Sequence, residues 1–164
     1  MGEVFLGLGS NVGDREGNVR KALQILKKKM RVLKVSSMYE TEPMYVEDQK
    51  WFVNCVAKLE TDLRPRELLD YVKDTERTLG RQRTIKYGPR VIDLDILFYG
   101  NEVVRESDLH IPHPKIRERS FVLIPLVEIE PDFIHPIQHM TVLKLLSDLN
   151  SNKSVIKKCG PCFN

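Results

Sequence analysis

Two aspartates, Asp93 and Asp95, lie two residues apart inside "YGPRVIDLDILFYG" (87–100). The surrounding run is apolar and reads as a buried strand, where carboxylates are depleted and costly to bury unpaired. Side chains alternate along a strand, so the pair shares one face. Ile92, Leu94, Ile96 and Phe98 take the other, expected to face the core. The two Cα atoms would stand ~6–7 Å apart, close enough for the carboxylates to repel unless positive charge lies between them. Arginine or lysine partners, a shared proton, or bound cations would each relieve that repulsion. Hard oxygen ligands at this spacing suit Mg2+, which binds through one or two carboxylates plus substrate phosphates. Two such ions ~3.5–4 Å apart can share a carboxylate pair. The strand alone leaves salt bridges and metal as equal readings.

The flanking segments shift the balance. "GRQRTIKYGPR" places Arg81, Arg83, Lys86 and Arg90 upstream, and "HPKIRER" places His113, Lys115, Arg117 and Arg119 downstream. That is more positive charge than two carboxylates need. Arginines around a metal-binding carboxylate pair are what a nucleoside triphosphate requires: the metal holds the phosphates and the guanidiniums take up developing charge. Phe52, Asn54, Tyr87 and Phe121 could form a pocket for a flat ring, with aromatic faces and an amide for the ring edge. His113 could donate to a phosphate, whereas His110, His135 and His139 have no metal-ligand spacing and are expected on the surface. "GLGSNVGD" is not a dinucleotide fingerprint, because its glycines are 7, 9 and 13 and Val12 stands where a third is needed. It reads as a tight strand-to-helix turn. The "CGPC" near the end (159–162) has no following helix and reads as part of a polar tail, and Cys55 as a small buried hydrophobe.

Positioning these groups requires a scaffold, and 164 residues suffice for one domain with a real core. With 41% hydrophobic and 30% charged residues and a net charge of +3, composition gives no case for a nucleic-acid or membrane partner. No run of ~18 apolar residues predicts a membrane span, no basic segment precedes the first apolar run, and three cysteines suggest no disulfide framework. A reducing cytoplasm is the expected setting, and a monomer the expected state. Residues 3–9 read as a strand. Val19, Leu23, Leu26 and Met30 mark a helix, and a second strand runs from 31 toward Pro43. A third covers about 51–60. Pro65 and Gly80 bracket a second helix with Leu68, Leu69, Val72, Thr75 and Leu79 inward, and 91–99 is the aspartate strand. The order β-α-β-β-α-β predicts an α+β fold of the ferredoxin-like kind, a three-layer α-β-α sandwich on a mainly antiparallel sheet. "FVLIPLVEI" and "TVLKLLSDL" add short C-terminal helices. Residues 1–150 are expected to form a single domain and 151–164 a mobile tail.

Nearly end to end, from "LGLGSNVGD" to "PLVEIEPDF", the chain resembles the 6-hydroxymethyl-7,8-dihydropterin pyrophosphokinases of folate biosynthesis. "GPRVIDLDILFYG" carries the strongest likeness, and "IPHPKIRERSFVLIPL" is nearly as specific. The resemblance implies transfer of a pyrophosphoryl group from ATP to the dihydropterin CH2OH, with release of AMP. It implies that Asp93 and Asp95 bind two Mg2+ ions and that Arg81 and Arg90 stabilise the transferring group. Lys73, Glu76, Arg83, Tyr87, Ile96, His113 and Arg119 would contact the nucleotide. Thr41, Pro43, Met44, Phe52, Asn54 and Phe121 would form the pterin pocket, with Tyr87 on the loop above it. Tyr87 stands where the family often has tryptophan, and Phe52 where it often has tyrosine.

Overall fold

A computed structural model describes residues 1–80, 86–151 and 153–161. Strand β1 (Gly2–Ser10) runs into helix α1 (Arg15–Leu26), and β2 (Arg31–Val35), β3 (Ser37–Thr41) and β4 (Phe52–Thr61) follow. Helix α2 (Pro65–Thr78) then leads to β5 (Asp93–Tyr99). A two-stranded ribbon, β6 (Val104–Arg105) and β7 (His110–Ile111), precedes helices α3 (Ser120–Ile129) and α4 (Val142–Asp148), and β8 (Val155–Pro161) ends the described chain. The main sheet is antiparallel in the order β5-β1-β4-β3-β8, with β2 also paired to β4.

Local chemistry accounts for the helix ends. The Asp14 side chain caps α1 by accepting from the Gly17 amide at 3.1 Å. In α2 Pro65 occupies the first turn, the Glu67 carboxylate accepts from the Arg64 amide at 3.0 Å, and Gly80 takes a positive φ just past the end. Both helices pack on one face of the sheet. Val19, Leu23, Leu26, Leu68 and Val72 meet Val4, Leu6, Leu8, Cys55, Ala57, Leu59, Leu94 and Ile96 there. The opposite face carries Phe5, Val56, Leu97 and Phe98 under α3 and α4. Helices therefore cover the sheet on both sides.

Four expectations need correcting. The segment from 31 is two strands, broken at Ser36, whose hydroxyl accepts from the Val56 amide at 2.9 Å. Phe98 does not share a face with Leu94 and Ile96. The β1–β5 register slips between Phe5↔Phe98 and Leu6↔Ile96, so Leu97 is an extra residue, and both Leu97 and Phe98 enter the second core. Residues 155–161, expected in a tail, form β8 along β3, with Cys159 opposite Met38, while Cys162 lies outside the described residues. His110 and His139 are exposed as expected, but His135 is buried.

His135 packs edge-on against Phe98, and its Nδ1 accepts from the Ile137 and Gln138 amides, both at 3.1 Å. Burial, with Arg117 and His139 nearby, pushes its pKa below the ordinary histidine value. The unfolded chain thus binds more protons than the folded one in the range below about 6.5, so stability rises with pH there. Chemical-denaturant midpoints are expected to fall as pH drops from about 6.5 toward 4.5. His135→Asn, which keeps an acceptor at the Nδ1 position, is expected to reduce that slope without abolishing it, because His113 is also held below the ordinary histidine value.

Candidate active site

The face of the sheet under α3 and α4 is only half core. Toward its other end, cross-strand register sets Asp93 beside Gly9, Gly9 beside Asn54 and Asn54 beside Tyr39. Asp95 lies beside Gly7, and Gly7 beside Val56. Strand alternation brings Gly7 and Gly9 to this face, so β1 leaves a bare floor between the aspartates and Asn54. A cavity of about 350 Å3 opens over that floor, within the size of small-molecule sites. Its walls include Thr41, Pro43, Met44, Phe52, Asn54 and Phe121, together with Tyr87, Arg90, His113 and Arg119. The turn read in "GLGSNVGD" begins only after Ser10, with Gly13 at positive φ. The role of Gly7 and Gly9 was invisible because it depends on what the neighbouring strands place beside them.

Asn54 donates from Nδ2 to the Thr41 hydroxyl at 2.6 Å, which orients its amide. A Cβ on Gly9 would stand 2.3 Å from Asn54 Oδ1. Gly9→Ala must therefore turn the amide away. It is expected to weaken binding of a fluorescent flat-ring ligand about 10-fold or more, in an equilibrium titration.

A second cavity of about 500 Å3 lies on the other side of β5, walled by Lys73 and Glu76 of α2, by Ile96, and by Ser107–His110. Asp93, Asp95, His113 and Pro114 line both cavities, so the carboxylates stand where the two meet. Buried Glu76 accepts from the Leu94 amide at 2.9 Å, between the two aspartates, and so ties the edge strand to α2. Every predicted site residue among those described lines one cavity or the other, while Arg81 and Arg83 lie outside the described residues.

The charges around Asp95 are ordered. Arg119 Nη1 is 3.6 Å from its Oδ2, and His113 Nε2 is 4.0 Å from its Oδ1. The Lys115 amide donates to His113 Nδ1 at 3.1 Å, so the neutral ring carries its proton on Nε2, toward Asp95. Burial, reinforced by Arg119 and Lys115, pushes His113 down to about 4. It is a neutral donor at neutral pH. Among the described residues no three His, Cys, Asp or Glu side chains cluster as metal ligands. A two-carboxylate donor set fits Mg2+, which takes its remaining ligands from phosphates and water, and does not fit a closed structural metal site.

Sequence reasoning missed a network around the mouth of the first cavity. Asn11 is buried, donates to Gln49 Oε1 at 3.0 Å and Lys50 O at 2.9 Å, and accepts from the Arg90 amide at 2.8 Å. Gln49 in turn donates to Tyr87 O at 2.9 Å. The loop after β3 and the loop before β5 are thus tied together. Tyr45 stacks on Tyr87 with ring centroids 4.3 Å apart. No local periodicity marks either residue.

The family model for 7,8-dihydro-6-hydroxymethylpterin-pyrophosphokinase (HPPK) matches residues 5–131. The chain belongs to this family. The 2-amino-4-hydroxy-6-hydroxymethyldihydropteridine pyrophosphokinase of Aquifex aeolicus is 47% identical over 137 residues, covering 84% of this chain and 86% of that protein. The enzyme of the same name from Bacillus subtilis is 46% identical over 128 residues, 77% of each chain. A folic acid synthesis protein of Dictyostelium discoideum is 41% identical over 152 residues, which are 93% of this chain but 23% of that protein. The chain therefore spans most of the bacterial relatives and about a quarter of the Dictyostelium one. A crystal structure of Plasmodium falciparum HPPK-DHPS has a TM-score of 0.73 at 16% identity, covering 89% of this chain and 44% of that one. That likeness concerns the fold. Among the described residues no helix is long and apolar enough to cross a membrane.

Proposed function

We propose that this chain transfers the pyrophosphoryl group of ATP to the hydroxymethyl group of 6-hydroxymethyl-7,8-dihydropterin, giving the pterin diphosphate and AMP. The observation that carries this reading is the position of Asp93 and Asp95 at the junction of two cavities. One cavity is built for a flat ring with a hydrogen-bonding edge. The other has Lys73 at its wall, and Arg119 reaches Asp95 from the first cavity at the junction of the two. The acceptor hydroxyl oxygen bonds to Pβ as the bond from Pβ to the α-β bridging oxygen breaks. AMP leaves with that oxygen, and the hydroxyl proton passes to solvent.

Phe52 and Phe121 supply the faces for the pterin ring, and Asn54, oriented by Thr41, supplies its edge contact. Arg90 and Arg119, with Arg81 and Arg83 on the strength of the family resemblance, take up charge on the transferring group, which is where most of the catalysis of such a loose transition state lies. His113 Nε2–H donates to a phosphate oxygen. Asp93 and Asp95 would hold two Mg2+ ions, which when bound neutralise the phosphates and polarise the transferring group. Without such cations the two carboxylates would repel a triphosphate. The sheet order β5-β1-β4, with β2 and β3 both paired to β4 in the place of one strand, supports reading the fold as ferredoxin-like. A Mg2+-dependent assay of AMP formation with 6-hydroxymethyl-7,8-dihydropterin tests the proposal. AMP released only when pterin and metal are both present is the expected result. Release of ADP, or AMP formation indifferent to pterin, would overturn it.

A further inference from the structure

Arg119 reaches Asp95 with one end of its guanidinium, and something must hold the other end. Its side chain is only 9% exposed, and its Nε donates to the Tyr45 hydroxyl at 3.2 Å. That hydroxyl donates to Glu118 Oε1 at 2.6 Å. A carboxylate only accepts and a guanidinium only donates, so the direction of this chain is fixed: Arg119 to Tyr45 to Glu118. Burial and the Glu118 bond push the Tyr45 phenol above its ordinary value, which keeps the hydroxyl protonated at neutral pH. The guanidinium carbon also lies 5.4 Å from the Tyr45 ring centroid and 5.5 Å from that of Phe121, so the cation is held beside two aromatic rings. On its other side Tyr45 stacks on Tyr87, and Lys115 Nζ lies 5.1 Å and 5.5 Å from the two ring centroids.

We propose that Tyr45 is a positioning residue with two separable parts: its ring closes the pterin cavity against Tyr87, and its hydroxyl, anchored by Glu118, aims Arg119 at Asp95 and the transferring phosphates. The inference rests on the pyrophosphokinase reading. The geometry divides the labour. With Nε taken by Tyr45, the two terminal nitrogens of Arg119 remain for Asp95 and for phosphate oxygens. A guanidinium already oriented costs no reordering when charge develops in the transition state. The ring contact, by contrast, is made whether or not transfer is under way, so it acts on binding.

Tyr45→Phe and Tyr45→Leu separate the two parts. In the AMP-release assay Tyr45→Phe, which keeps the ring, is expected to lower kcat about 10-fold with KM for the pterin within about twofold. Tyr45→Leu is expected to lower kcat similarly and also to raise KM for the pterin about 10-fold. A double-mutant cycle adds a readout that loose packing would not reproduce. Arg119→Lys has no Nε–H to be held, so Tyr45→Phe on that background is expected to cost no further kcat. Wild-type kcat in Tyr45→Phe, or full additivity with Arg119→Lys, would overturn the proposal while leaving the pyrophosphokinase reading intact. Absence of AMP formation by the wild-type chain would overturn both. Thermal melts of each variant identify any loss that comes from unfolding, and if Tyr45→Leu does not fold, Tyr45→Phe and the cycle still decide the role of the hydroxyl.

Discussion

Asp95→Ala is expected to lower kcat for Mg2+-dependent AMP formation by at least about 10³-fold, or about 4 kcal/mol of barrier. Asp95 stands at the meeting point of the two cavities, with Arg119 Nη1 3.6 Å from one oxygen and His113 Nε2 4.0 Å from the other. Its removal takes away one of the two carboxylates proposed to hold the metal and also leaves a buried guanidinium without the counter-charge that Asp95 gives it. The ring pocket built from Phe52, Asn54 and Phe121 remains, so a fluorescent pterin analogue should still bind within a few-fold of wild type. Asp95→Asn keeps the shape and is expected to lose nearly as much activity, which separates charge from packing. Near-normal turnover in either variant would remove Asp95 from the metal site.

Arg90→Ala is expected to lower kcat by about 10²–10³-fold, the scale of one donor lost from a developing anion. KM for either substrate should change by less than about fivefold. The variant removes the guanidinium together with its hydrogen bonds to the Gly88 and Pro89 carbonyls at 3.2 and 3.0 Å. The backbone at Arg90 is held by Asn11, through its amide to Asn11 Oδ1 at 2.8 Å and its carbonyl from the Asn11 amide at 3.0 Å, and alanine keeps both bonds. The backbone anchor of this loop to Asn11 is therefore kept. Single-turnover measurements at saturating MgATP test this directly. An unchanged chemical step with a raised KM would assign Arg90 to binding alone.

Much of this site is legible in the amino-acid order because it depends on local rules. Alternation alone puts Asp93 and Asp95 on one face, and the element order follows from periodicity and from Pro65 and Gly80. What is not legible depends on neighbours distant in sequence. Phe98 changes faces because one extra residue against β1, Leu97, resets the alternation, and a bulge exists only in a pair of strands. Gly7 and Gly9 become a cavity floor only once β4 and β5 set Asn54 and the aspartates beside them. His135 reads as a surface residue because an isolated histidine in a loop gives no sign of the core that will cover it.

By itself, then, the sequence determined the kind of chemistry: paired carboxylates between cationic segments, aromatic rings with an amide, and a resemblance carried by contiguous motifs. Only the tertiary structure decided how those groups meet. Tyr45 reaches Glu118 across 73 positions of chain, and Arg119 reaches Tyr45 across 74. Side-chain periodicity reports on a few neighbouring residues. Contacts of that span depend on strand register and on the packing of one layer against the next.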